Sequence, residues 1–214
     1  MSKKHSIDPN KPVIALTFDD GPNTTTTVEM LDKLEKYDVV ASFFVIGNYI
    51  DDSTKEVIKR AYDMGCEINN HSRTHKSMTS LTAQEIKEEV EYTDNKVYEI
   101  TGERTKFFRP PYIAANDIVY DSIDLPFICG IGSTDYEDDV SPHERSSVIL
   151  EQISDGSIIL LHDFDGNSKT VEAMDLLIPA LIEQGYQFVT VSQLFEVKGI
   201  EPSLENGVIY TVVK

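Results

Sequence analysis

The sequence predicts one α/β domain built on a parallel sheet. Seven apolar, β-branched-rich stretches alternate with seven helix-like ones along the chain. No repeat, linker or low-complexity segment divides them, and 214 residues, 40% of them apolar, suffice for one full core. No glycine-rich phosphate loop follows the first apolar stretch, so a nucleotide-binding open sheet is unsupported, while an open sheet and a barrel both stay in play. In either architecture, function belongs at the carboxyl ends of the strands.

Residues 12–17 read as a buried strand that Gly21-Pro22 stops with turn residues. Thr24 to Thr27 can cap a helix over 28–37, with Met30, Leu31 and Leu34 on one face. A second strand covers 39–46 and ends at Gly47-Asn48; a helix follows from Asp52-Ser53 to Met64, ended by Gly65. Residues 66–70 are a short third strand. Thr82 and Glu85 have capping-box spacing and open the longest helix, which Gly102 ends. Residues 106–109 are a fourth strand cut off by Pro110-Pro111, and a short helix spans 116–123. Strand 127–131 and helix 144–153 come next, then strand 157–161 and an amphipathic helix 170–183 that contains Pro179. Strand 188–191 leads to a last short helix capped by Ser192. Beyond Gly199 the alternation stops, and the apolar run 208–213 after Asn206-Gly207 suggests an edge strand. The chain therefore reads as a tail at 1–11, a domain at 12–198 and a C-terminal extension at 199–214.

The net charge of −18 opposes nucleic acid, anionic membranes and polyanionic substrates; a neutral polymer or a cation suits it better. Cys66 and Cys129 lack metal-type spacing and read as buried thiols. No apolar run is long enough to span a membrane, and Met1 to His5 precede no apolar signal core. Two locations are open: the cytoplasm, or outside the cell after removal of a signal. A monomer is expected.

Asp19-Asp20 close the first strand. Neighbours in an extended chain face opposite ways, so each carboxylate should serve its own partner. Alone, the pair reads first as a solvated turn. His71 and His75 are four apart, which on a helical turn puts both rings on one face and lets them share a metal. Alone they also fit an exposed pair, because no Glu adjoins the first His as in the metalloprotease motif. With Asp20 they make two His and a carboxylate, a catalytic zinc-type set that also suits iron. Asp19 is then free to act as general base, oriented by a bidentate contact from Arg109. His162, which closes the sixth strand, becomes a candidate general acid, with Asp135, or Asp138 or Asp139 instead, holding one ring nitrogen.

Four segments carry a resemblance: Thr17-Phe18-Asp19-Asp20-Gly21-Pro22, His71-Ser72 with His75, Arg109-Pro110-Pro111-Tyr112, and Leu160-Leu161-His162-Asp163. In this order at strand ends, they resemble the polysaccharide deacetylases of the NodB-homology type, carbohydrate esterase family four, from Pro12 to Phe195. The resemblance implies a distorted (β/α)7 barrel, with a zinc or cobalt ion on Asp20, His71 and His75, Asp19 as base and His162 as acid. It also implies that the Tyr112 backbone N–H helps hold the oxyanion and that Leu160 lines the acetyl pocket. The family's fourth motif ends in Asp-Trp; this chain has no Trp, and Asp135-Tyr136 aligns there. Ile113 stands where the third motif usually has Gly. These variant motifs resemble those of acetylxylan esterases joined to bacterial xylanases. The expected activity is thus removal of O-acetyl groups from acetylxylan. N-deacetylation of chitin-type oligosaccharides or peptidoglycan is the alternative, and a silent carbohydrate-binding domain is the alternative of another class. The resemblance favours an extracellular location.

Overall fold

The computed structural model describes residues 7–214. The remainder of the predicted tail lies outside the described residues. Strands β1 (Val13–Asp19), β2 (Ser42–Val45), β3 (Glu67–Asn70), β4 (Phe127–Ile128), β5 (Ile158–His162), β6 (Gln187–Val189) and β7 (Ile209–Tyr210) alternate with helices. The helices are α1 (Thr26–Tyr37), α2 (Lys55–Asp63), α3 (Ala83–Thr101), α4 (Asp117–Ser122), α5 (Pro142–Gln152), α6 (Ser168–Glu183) and α7 (Val191–Lys198).

All seven residues of β1 are buried, as its unbroken apolar run requires of a strand covered on both faces. It lies at the centre of a parallel sheet in the order β3-β2-β1-β5. Its Thr17–Asp19 half pairs with β2 and its Val13–Ala15 half with β6, both on the edge opposite β5. Two strands sharing one edge make the barrel irregular. Isolated bridges from Phe108 to Asn70 and Phe127, and from Ile131 to Ile159, carry the sheet round from β3 to β5. The result is the barrel alternative of the two the sequence allowed, a distorted α/β barrel. The register sets Asp19 beside His162 on adjacent strands. The main apolar core joins β1, β2 and β5 to α1, α2 and α6 through residues such as Phe18, Met30, Leu34, Ile58 and Leu177.

Several boundaries differ from the sequence reading. Residues 106–109 make bridges only at Phe108, because Pro110-Pro111 provide no N–H to extend a ladder. The strand predicted over 127–131 pairs regularly only at Phe127–Ile128. At Gly130 the backbone runs so close to β5 that a Cβ would lie 2.7 Å from Leu160 Cβ. Val191 belongs to α7, whose cap is Thr190 rather than Ser192; Thr190 and Gln193 form the capping box. The capping box at Thr82 and Glu85 is present as predicted. Thr25 occupies the α1 cap position, but its hydroxyl donates to Asn23 and Asp165 and makes no capping bond to the helix. Cys66 is buried, which pushes its thiol up to about 12, whereas Cys129 is only half-buried. In the C-terminal segment, β7 pairs in parallel with β4, Val212 bridges Ser157, and Val213 is buried against the barrel.

Candidate metal centre and active site

The two carboxylates at the end of β1 do not keep the alternation of an extended chain. Asp20 has φ 75, in the left-handed region, and this rotates its side chain back toward that of Asp19. His71 Nε2 lies 3.4 Å from Asp20 Oδ1 and 3.8 Å from Asp19 Oδ2, so the pair meets at one imidazole. Their other contacts diverge. Asp20 Oδ1 faces His75 Nε2 at 3.3 Å, and Asp19 Oδ1 accepts from Arg109 Nη1 at 2.6 Å.

His71 and His75 meet through a loop, not the helical turn that their spacing suggested. Ser72 and His75 both have positive φ, 65 and 58, which no helix contains. The loop is held from three sides. Ser72 N–H donates to Asn70 Oδ1 at 2.9 Å, and His75 N–H to Ser72 Oγ at 3.0 Å. The carboxylate of Glu89, on α3, accepts the N–H groups of Arg73 and Thr74 at 3.0 and 2.8 Å. His71 Nδ1 lies 2.7 Å from the Arg109 carbonyl. A carbonyl can only accept, so the proton is on Nδ1 and the Nε2 lone pair faces Asp20.

This donor set fits a divalent metal. The ligand atoms of Asp20, His71 and His75 lie within 4.8 Å of one another, and buried Asp20 Oδ1 has no hydrogen-bond partner. Burial pushes Asp20 upward, but the neighbouring imidazoles of His71, His75 and His162 outweigh it, so it stays below its ordinary value. Burial and neighbouring His71 pull His75 down, which favours the neutral imidazole a metal needs. Three protein ligands of this kind would leave further coordination positions open.

Arg109 is fully buried. It does not grip Asp19 bidentately as expected. Nη1 alone reaches the carboxylate, while Nη2 donates to the Cys129 carbonyl at 2.6 Å and Nε to the Ile128 carbonyl at 3.3 Å. The guanidinium also lies 4.1 Å over the Phe44 ring. Its donors are thus shared out, and Asp19 Oδ2 stays turned to the site.

On the opposite flank Asp135, not Asp138, meets His162. Asp135 Oδ1 lies 2.7 Å from His162 Nδ1, and Oδ2 accepts the His162 backbone N–H at 2.8 Å. Asp138 instead presents its backbone carbonyl to Lys169. Burial opposes charging of His162, but the Asp135 hydrogen bond and charge, with Asp19 and Asp20 beyond, push it up to about 9. A divalent cation on Asp20 would cancel the part from Asp19 and Asp20 and leave Asp135 as the main cause. The Asp135 contact thus favours the acid form of His162. Asp135→Asn removes the raising charge, so the basic limb of the kcat profile is expected to move to lower pH. An unmoved limb would rule out Asp135 as the cause.

A cavity of about 530 Å³ opens over these groups, lined also by Pro110, Tyr112, Ile113, Tyr136 and Leu160. The Tyr136 ring stands edge-on to His162 with centroids 5.5 Å apart, and Tyr112 is edge-on to His75 at 4.8 Å. Tyr112 and Ile113 have φ 59 and 54, a conformation that costs a β-branched Ile more than the glycine usual there. Every site residue predicted from sequence thus reaches one cavity or directly supports it.

Sequence reasoning missed the supports behind them: Glu89, Arg145, Asn167, Thr170 and Asp163. Asp163 is buried, with Oδ1 unpartnered and Oδ2 accepting from Thr27 Oγ1 at 2.6 Å. Burial, only partly offset by that bond, pushes its carboxyl up to about 7, and Asp20 and Asp19 add to the shift. It packs so tightly on Gly21 that a Cβ there would meet Asp163 Oδ2 at 2.6 Å. It stands in the Leu160-Leu161-His162-Asp163 segment, but that segment assigned it no role.

Comparison with known proteins follows the same pattern. Residues 6–125 match the family profile described as polysaccharide deacetylase. A bifunctional xylanase/deacetylase of Pseudobutyrivibrio xylanivorans is 48% identical over 196 residues, covering 92% of this chain and 32% of that protein. A peptidoglycan-N-acetylmuramic acid deacetylase of Bacillus subtilis is 38% identical over 200 residues, covering 92% of this chain and 42% of that protein. The chain therefore spans less than half the length of either curated relative. The structure of a family 4 acetyl xylan esterase from Clostridium thermocellum, in complex with a cobalt ion, superposes with a TM-score of 0.91 at 36% identity. That match covers 94% of this chain and 98% of the esterase chain. With its motifs, barrel and site in agreement with these likenesses, the chain belongs to the polysaccharide deacetylase family.

Proposed function

We propose that this chain removes acetyl groups from a polysaccharide by metal-dependent hydrolysis, and that its preferred substrate is O-acetylated xylan. The observation that carries the reading is the placement of the Asp20, His71 and His75 donor set between an Arg109-held carboxylate and an Asp135-held imidazole, in one open cavity. Zinc or cobalt, held by those three residues, would supply Lewis acidity to the acetyl carbonyl and to water. Asp19 Oδ2 takes a proton from the attacking water, while Arg109 fixes the carboxylate on its other oxygen. His162 Nε2 gives a proton to the leaving sugar oxygen, with Nδ1 held by Asp135. Leu160 and Tyr136 wall the acetyl group, and the Tyr112 backbone N–H meets the developing oxyanion.

The likeness to the Pseudobutyrivibrio and Clostridium proteins favours xylan, and the net charge of −18 suits a neutral polymer. An extracellular setting suits a polymeric substrate, and no described helix is long and apolar enough to cross a membrane. A single chain carries the whole donor set, in keeping with a monomer. The likeness to the Bacillus deacetylase favours N-deacetylation as a second reading. A silent binding domain has no use for all of Asp19, Asp20, His71, His75 and His162. Acetate release is expected to be faster from acetylxylan than from N-acetylglucosamine oligomers, and to stop with a chelator. Preference for the oligomers would establish the second reading; no chelator-sensitive release from either would overturn both.

A further inference from the structure

Arg145, on the first turn of α5, is 2% exposed, yet no carboxylate pairs with it among the described residues. Its guanidinium meets neutral acceptors only. Nη1 donates to Asn167 Oδ1 at 2.6 Å and Thr170 Oγ1 at 2.7 Å, Nη2 to the Glu137 carbonyl at 2.8 Å, and Nε to the Val140 carbonyl at 3.0 Å. Burial costs this cation, and the compensating charges of Asp135 and Asp138 act from a distance. An arrangement so costly needs a reason, and the bonds one step further out supply it.

Thr170 has one hydroxyl proton. Because its oxygen accepts from Arg145, that proton is directed at Asp135 Oδ2, 2.8 Å away. Asn167 is oriented in the same way: its carbonyl oxygen faces Arg145, so its amide nitrogen faces the His162 carbonyl at 2.9 Å. Two polar paths therefore leave one guanidinium and end on the Asp135–His162 pair, one at the carboxylate and one at the histidine backbone. The Glu137 and Val140 bonds hold the loop that carries Asp135 and Tyr136.

We infer that Arg145 is a positioning residue for proton donation by His162, acting through Thr170 on Asp135 and through Asn167 on the histidine backbone. The inference rests on the deacetylase reading. In the step concerned, the acyl C–O bond breaks, its electron pair stays on the sugar oxygen, and that oxygen takes the proton from His162 Nε2. An alkoxide needs that proton to leave; a nitrophenolate does not. A residue that aims the acid should therefore matter for one leaving group and not for the other, whereas a residue that merely stabilises the fold should affect both alike.

The test compares kcat/KM of the metal-loaded parent, Arg145→Met, Thr170→Val and the double variant on an acetylated xylo-oligosaccharide and on 4-nitrophenyl acetate. Arg145→Met is expected to lose ~10-fold or more on the sugar ester and less than ~3-fold on the aryl ester. Thr170→Val, nearly isosteric, should show the same selectivity, and the double variant should lose no more than the worse single one. Metal content should hold throughout. If Arg145→Met fails to fold, Thr170→Val carries the test by itself. Equal losses on both esters in a folded Thr170→Val, or no loss on the sugar ester, would overturn the inference. A parent that leaves the sugar ester intact would instead overturn the acetylxylan reading of the site.

Discussion

Asp19→Asn is expected to lower kcat by ~10²-fold or more while the chain keeps its metal. The amide has the shape of the carboxylate, and its oxygen can still accept from Arg109 Nη1, so the buried contact at 2.6 Å survives in outline. What it cannot do is take a proton from water. Asp20, His71 and His75 are untouched, so metal per chain should stay at the parental value. Kinetics together with elemental analysis decide the matter. Parental turnover would end the role of Asp19 as base. Loss of metal with loss of turnover would mean that Asp19 and Asp20 have been assigned each other's work.

His75→Ala should abolish turnover by the other route, with metal occupancy falling to less than about one-tenth at stoichiometric metal. His75 is a cleaner probe than His71. Its side chain is 24% exposed at the rim, against 3% for His71, whose Nδ1 also holds the Arg109 carbonyl. Removing the His71 ring would unpair that carbonyl and disturb the base as well as the metal. A melting temperature equal to that of the metal-free parent, with an empty site, is the expected signature of His75→Ala. Full occupancy would remove His75 from the ligand set.

The site was readable where chemistry lies in residue type and order. Asp20, His71 and His75 stand out because few other arrangements place such donors at strand ends, and the structure gathers them. The reason offered for the two histidines was nonetheless wrong. Helical spacing and a tight loop bring residues four apart together equally well, and only Ser72 and Glu89 reveal which is at work. Thr82 with Glu85 announced a helix start because a capping box is local. Thr190 with Gln193 obeys the same rule, but Ser192 competed for the position. Arg145 gave no signal at all. Its partners Asn167 and Thr170 lie 22 and 25 residues away and become neighbours only when α5 packs on α6. The shortened pairing at Gly130 was hidden for a similar reason, since it depends on how closely β5 approaches, whereas the stop after Phe108 was legible in Pro110-Pro111.

Asp19 and His162 are register partners on adjacent strands. Backbone hydrogen bonding, not side-chain choice, therefore sets the gap between the proton acceptor and the proton donor proposed here. Parallel strands stand ~4.8 Å apart whatever side chains they carry. On the proposed function, the sheet would act as a fixed ruler across the acetyl group. Loops above it, such as those bearing Tyr112 and Tyr136, can drift in sequence and exchange one sugar polymer for another without altering that spacing. Diversification of substrate and constancy of chemistry are thereby assigned to different parts of the same chain. A shift of one residue between β1 and β5 would do what no loop change could, turning one of the two groups to the other face of the sheet.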